Sequence, residues 1–133
     1  MRRAAATAAI AALSLGACGG GKATDGPSDE QAIRDTLTTY LGAVARGDSR
    51  AACARMADGA RRDLVRSVRG ARDCRDAVVR YRSGLTSEQR GQLRGAEVTA
   101  VRVDGDRATA KVLGGAESGR LLRRDGRWLI AGR

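Results

Sequence analysis

The run Thr99-Ala100-Val101-Arg102-Val103-Asp104-Gly105-Asp106-Arg107-Ala108-Thr109-Ala110 alternates apolar and polar side chains on both sides of a turn-forming triplet. A period of two marks a half-buried strand, and two such runs around a two-residue turn make a β-hairpin. With Gly105-Asp106 as the turn, Val103 faces Ala108 and Val101 faces Ala110, so one side of the hairpin is apolar. The same counting applies downstream, where Leu121 and Arg123 lead into Asp125-Gly126. Trp128 then falls opposite Arg123, and Ile130 opposite Leu121. Gly114-Gly115 joins the two hairpins, which predicts a four-stranded antiparallel meander.

Upstream of Gly95 the period is helical. Ser28 with Gln31 forms a capping box, Ile33, Leu37, Tyr40, Leu41 and Val44 recur on one face, and Gly47 supplies a stop. Asp48 or Ser49 can cap a second, short helix carrying Cys53 and Met56, interrupted at Asp58-Gly59. Leu64 and Val68 suggest a further turn or two ending near Gly70. Asp73 opens a helix whose stripe is Cys74, Val78, Tyr81 and Leu85. Thr86 with Gln89 caps a brief last helix. The fold class is therefore α+β, with N-terminal helices packed on the apolar side of a C-terminal four-stranded antiparallel meander.

The first residues carry a different signal. Arg2 and Arg3 precede an uncharged run from Ala4 to Ala17 that closes on Leu15-Gly16-Ala17-Cys18. A basic start, a short apolar stretch and small residues before a cut are the order of an export signal. The run of about 14 residues is shorter than the roughly 20 needed to span a bilayer. Leu-Gly-Ala-Cys resembles the lipobox of bacterial lipoproteins, which implies lipidation of Cys18 and an extracytoplasmic domain anchored to the cell membrane. An ordinary secretory signal cut near Ala17 is the competing reading. Residues 18–27 lack an apolar period and read as a flexible tether. The expected organisation is thus a signal peptide over 1–17, a tether over 18–27 and one α+β domain over 28–133.

The domain has no Phe, one Trp and two Tyr, so its core must be aliphatic and thin. Cross-linking helps such a core. With Cys18 committed to lipid, Cys53 and Cys74 remain, and in an oxidising compartment a bridge between them is expected to contribute about 3 kcal/mol. Two buried thiols are the alternative. The chain has no His, which excludes His-dependent nucleophilic catalysis and, with so few cysteines, leaves no usual metal-ligand set. No metal or other cofactor is expected.

The formal net charge is +10. Eight arginines between Arg61 and Arg82 stand against Asp63, Asp73 and Asp76. Three readings of that stretch compete: a solvated helix surface, a face drawn to anionic lipid heads, and a nucleic-acid groove. The scarcity of aromatics argues against the last, because single-strand binding relies on stacking.

Tyr40-Leu41 with Ala43-Val44 and Gly47-Asp48, Cys53 in the next helix, and the terminal Asp125-Gly126-Arg127-Trp128-Leu129-Ile130 together resemble the NTF2-like superfamily, in the form of the domain of a small exported actinobacterial-type lipoprotein. The resemblance covers about Ser28 to Arg133. It implies a cone-shaped fold with a pocket between sheet and helices, although Phe is absent and only four strands can be counted. Tyr40, Tyr81 and Trp128 are the candidate pocket residues. The function expected is non-catalytic, either binding a small apolar ligand or engaging an envelope protein partner. The alternative is a proton-transfer enzyme of the ketosteroid-isomerase-like type, with Glu97 (in phase with Val101) or Glu117 (in phase with Leu121) as the carboxylate and Tyr40 or Tyr81 as the donor.

Cys18→Ser is expected to shift the domain from the membrane to the soluble exported fraction, or to arrest its processing. Fractionation showing normal processing and undiminished membrane retention would remove the lipobox reading.

Overall fold

The computed structural model describes residues 28–113 and 116–132. The lipobox, the tether and Gly114-Gly115 lie outside the described residues. Five helices precede four strands: α1 (Asp29–Arg46), α2 (Ser49–Ala54), α3 (Asp58–Ser67), α4 (Cys74–Ser83), α5 (Ser87–Arg94), then β1 (Glu97–Asp104), β2 (Arg107–Leu113), β3 (Ala116–Arg124) and β4 (Arg127–Ile130). The strands form one antiparallel sheet in sequential order, the expected meander.

Local chemistry sets the helix boundaries. Ser28 Oγ accepts from the Gln31 backbone N–H at 3.2 Å, while the Gln31 amide donates to Asp35 at 2.8 Å instead of returning to the cap. Only half of the expected capping box forms there. At the other end Gly47 takes φ +78, and Asp48 N–H reaches Ala43 O (2.9 Å) while Gly47 N–H reaches Val44 O (3.1 Å). This is the Schellman pairing, which requires a left-handed residue. Asp48 caps α2, Asp73 caps α4, and the full capping box of Thr86 and Gln89 opens α5.

α1 is the wall between two cores. On one side Ile33, Leu37 and Leu41 meet the inner sheet face of Val98, Ala108, Ala110, Val112, Leu121 and Trp128. On the other, Ala43 and Val44 meet Ala52 and Cys53 of α2 and Val78 of α4. Tyr40 packs against both clusters. Gly119 of β3 lets α1 lie close, since a Cβ there would sit 3.2 Å from Leu37 Cδ2. The Cys53–Cys74 disulfide joins α2 to the first residue of α4, with a Cα separation of 6.1 Å. Both core clusters, the bridge and every described strand pairing fall within residues 29–132, so this segment contains all of its own core.

The register of the second hairpin matches expectation, with Arg123 opposite Trp128 and Leu121 opposite Ile130. Asp125 and Gly126 have φ of +51 and +71, the signs of a type I′ turn. In the first hairpin Val103 does face Ala108, but the register shifts between Thr99 and Arg102, so Val101 is not simply paired with Ala110. Ala100 sits in this bulge at φ +49. The extra residue reverses the facing of everything before it. Val98 therefore points into the core, and Glu97, paired with exposed Leu113, points outward. The expected phase of Glu97 with Val101 is corrected by the bulge.

Two helix expectations are also corrected. Asp58-Gly59 forms the first turn of α3; the interruption lies at Arg55–Ala57. There Ile130 N–H donates to Arg55 O and Ala57 N–H donates to Ile130 O, each at 2.8 Å, and Met56 bridges Ile130 in parallel. The open edge of β4 needs backbone partners, and satisfying it outweighs continuing a helix. The stripe on the fourth helix stops early as well. α4 ends at Ser83, which leaves Leu85 outside it, and the inward residues are Ala77 and Val78 while Tyr81 is 45% exposed.

Trp128 is the large residue of the inner face and is 4% exposed. Its indole N–H donates to Asp29 Oδ1 (3.0 Å), and its carbonyl accepts from buried Thr36 Oγ1 (3.2 Å). Arg123 donates to both Asp29 oxygens (3.1 and 3.2 Å) and to Asp106 Oδ1 (3.0 Å), with its guanidinium 5.2 Å from the indole centroid. Truncating Trp128 removes the packing and both side-chain contacts from a core without Phe. Trp128→Ala is expected to cost about 3–5 kcal/mol, read as a lowered urea midpoint; an unchanged midpoint would show that the indole does not support the core.

Candidate functional site

The three candidate pocket residues serve different purposes. Trp128 is committed to the inner sheet face, Tyr40 is half-buried between the two cores, and Tyr81 is largely exposed on α4. None of them lines the three main surface hollows of the described residues. Burial first, and then the neighbouring Tyr81, push the Tyr40 phenol up to about 12. Glu97 faces away from Tyr40 on the exposed side of β1, so the structure does not bring that carboxylate to that hydroxyl. The Glu117 side chain lies outside the described residues.

The sheet has a second face, which the helices do not cover. Alternation on β2 buries Ala108, Ala110 and Val112 and turns Arg107, Thr109, Lys111 and Leu113 outward. Pairing carries the outward set across the sheet. Arg102 is opposite Thr109 and Thr109 opposite Arg120; Arg107 is opposite Leu122 and Leu122 opposite Leu129; Arg124 is opposite Arg127. Among the described side chains, six basic ones thus share one face with two acidic ones, Glu97 and Asp104, the latter directly opposite Arg107. Arg120 donates to Gly132 O at 3.0 Å. Arg102, Arg107, Lys111, Arg124 and Arg127 form no ion pair among the described residues.

An open hollow of about 630 Å³ occupies the middle of this face. Arg102, Arg107, Arg120 and Arg124 rim it together with Asp104 and Asp106, Thr109 and Leu122 stand among them, and Gly59 with Ala131 and Gly132 closes one side. Such a surface can accept anionic groups at its rim and apolar atoms against Leu122 and Leu129. A second hollow of about 640 Å³ lies between α3 and the end of β4, lined by Met56, Leu64 and Ile130.

The helical arginines between Arg61 and Arg82 differ in that most have partners. Arg61 donates to Cys53 O (3.0 Å), Arg66 pairs with Asp63, and Arg82 donates to Ala45 O (3.0 Å). Arg72 offers its backbone N–H and Arg80 its Nε to Asp76 Oδ2, each at 3.0 Å, and together they hold the Asp76 carboxyl below its usual range. Arg61 and Arg82 thereby join one helix to another, while Arg66, Arg72 and Arg80 are engaged locally with Asp63 and Asp76. The basic face of the sheet was not singled out by counting charges along the chain, because its members are spaced over four strands. The alternation and hairpin register that predict the inner face also define this outer one.

Compared with protein-family models, curated proteins and solved structures, the chain matches none.

An unfolded tyrosine ionises near 10 and Tyr40 near 12 in the fold, so the neutral phenol stabilises the fold fully below pH ~10 and loses that contribution as pH rises toward 12. Phenolate absorbance is expected to show one tyrosine titrating late, together with a fall in stability across that window. Ionisation of Tyr40 at pH ~10 would contradict its burial.

Proposed function

We propose that this is an exported, membrane-tethered, non-catalytic domain of the NTF2-like kind, which works by docking its helix-free sheet face against an anionic surface in the cell envelope. The observation that carries this reading is the set of basic side chains that form no ion pair among the described residues, sharing one sheet face with Leu122 and Leu129. The interaction-module reading gains over the pocket reading because the aromatic residues suited to an apolar ligand are divided between core and exposed helix. A non-catalytic role agrees with the separation of Glu97 from Tyr40 by the thickness of the sheet. The tether over 18–27 would keep the face near its target at high effective concentration, so individually weak contacts suffice.

A photo-crosslinking side chain placed at Leu122 in the full chain is expected to capture envelope material in intact cells, whereas one placed at Val79, which is 48% exposed on α4, is expected to capture little. Capture from Val79 and not from Leu122 would assign docking to the helices instead.

A further inference from the structure

Resting on that reading, we infer that the surface met by the basic sheet face is the anionic phospholipid headgroup layer of the membrane to which the chain is tethered, and that the contact fixes the domain's orientation with its helices pointing away. Three independent features converge on this occupant.

The first is where the tether enters. Asp29, the first residue of α1, is held by Arg123 and Trp128, and Arg123 is bonded in turn to Asp106 of the other hairpin turn. The start of the domain is therefore pinned at the hairpin-turn end of the sheet. Residues 18–27 can reach at most ~35 Å when fully extended, so this end stays close to the head groups whenever Cys18 is anchored.

The second is the distribution of charge. Arg107 follows the first turn, and Arg124 and Arg127 flank the second, all three facing outward. Asp104 stands opposite Arg107 and Asp125 sits in the second turn, so the arginines outnumber the outward-facing acids at that end only narrowly, and it is over the whole described face that basic side chains predominate. A headgroup layer offers many phosphates side by side, which suits separate guanidiniums spread over three strands better than a single small anion would. Leu122 and Leu129, adjacent across β3 and β4, sit between these arginines and can rest against the acyl boundary.

The third is a conflict within the fold. Arg124 lies directly opposite Arg127, and like charges in that position destabilise a sheet. Neither arginine forms an ion pair among the described residues, the nearest acid in the chain being Asp125 in the turn between them. Repulsion without structural return marks a surface kept for binding, and a layer of phosphates supplies the missing counter-charge.

The test uses residues 28–133, which contain their own core and lack the anchor, in co-sedimentation with vesicles of phosphatidylglycerol and phosphatidylcholine. Binding is expected to phosphatidylglycerol vesicles, to weaken steeply with salt, and to be small for phosphatidylcholine alone. R107Q/R124Q/R127Q is expected to lower the partition by about two orders of magnitude, as the loss of three cations near an anionic surface implies. R62Q/R69Q/R75Q removes the same charge from the helical side and is expected to change it far less. The thermal midpoint of the sheet variant should hold or rise, because the Arg124–Arg127 repulsion is gone; R124Q alone, expected to weaken binding severalfold, serves if the triple variant does not fold. Equal losses from both triple variants would reduce the effect to net charge and overturn the inference, as would equal binding to both lipids. Crosslinking through Leu122 to protein, with no vesicle binding, would overturn the lipid while leaving the docking face intact.

Discussion

A single carboxylate ties the halves of this domain together. Asp29 opens α1, where a negative charge favours the helix N-terminus, and it also receives the Trp128 indole N–H and the Arg123 guanidinium from the two strands of the last hairpin. Arg123 extends the link to Asp106, whose backbone carbonyl also accepts the Arg123 N–H at 2.7 Å. Hydrogen bonding to Asp106 and the nearby charge of Asp29 hold this guanidinium even more firmly protonated than usual. The ridge of Ile33, Leu37 and Leu41 can then lie along the inner sheet face in one register. A thin aliphatic core has little packing of its own with which to enforce that choice, so polar links at the end of α1 matter more here than they would under a core rich in aromatics.

The far side of α1 solves the same problem by a covalent route. The second cluster is built from small residues, Ala43, Ala52 and Cys53 with Val44 and Val78, and the disulfide closes it. Arginines complete the assembly by reaching backbone carbonyls of neighbouring elements: Arg34 to Val98 O, Arg61 to Cys53 O, Arg82 to Ala45 O. A guanidinium can reach a carbonyl across a gap that a short apolar side chain leaves open. Much of the basic composition is thereby structural, which is why net charge alone says little about partners.

Elements with one dominant local signal were legible from the chain: the Ser28 to Gly47 helix, both hairpin turns, the Cys53–Cys74 pairing and the order of the meander. What escaped was decided by tertiary competition. The bulge at Ala100 has no turn-type residue to announce it, yet it reverses Glu97 and Val98. The segment Arg55–Ala57 leaves the helical path because the edge of β4 needs partners some seventy residues away. Tyr81 belongs to a correct helical stripe but to its rim, since α4 ends before that stripe can turn under the core. Residue type and helical phase do not give the depth of a position, which is why Tyr40, Tyr81 and Trp128 differ so much in exposure. The resemblance to the NTF2-like superfamily implied helices on a sheet, and that arrangement is present; the cone and its pocket remain part of the proposal.

The outer sheet face shows how one pattern can specify two things. The alternation that places Ala108, Ala110 and Val112 inside necessarily sets Arg107, Thr109 and Lys111 outside, and pairing aligns them with Arg120, Leu122 and Arg124. A fold needs only that such positions be polar. It does not need them to be nearly all of one sign, nor to set Arg124 against Arg127. Acidic side chains are available in this chain, and on the helices they are paired: Glu30 with Arg34, Asp58 with Arg61, Asp76 with Arg72 and Arg80. Among the described side chains of the outer face they are outnumbered three to one, whereas interspersed signs lower the self-energy of an ordinary solvated surface. On the reading proposed above, an external anion layer would supply the counter-charge that the described acidic side chains of this face do not.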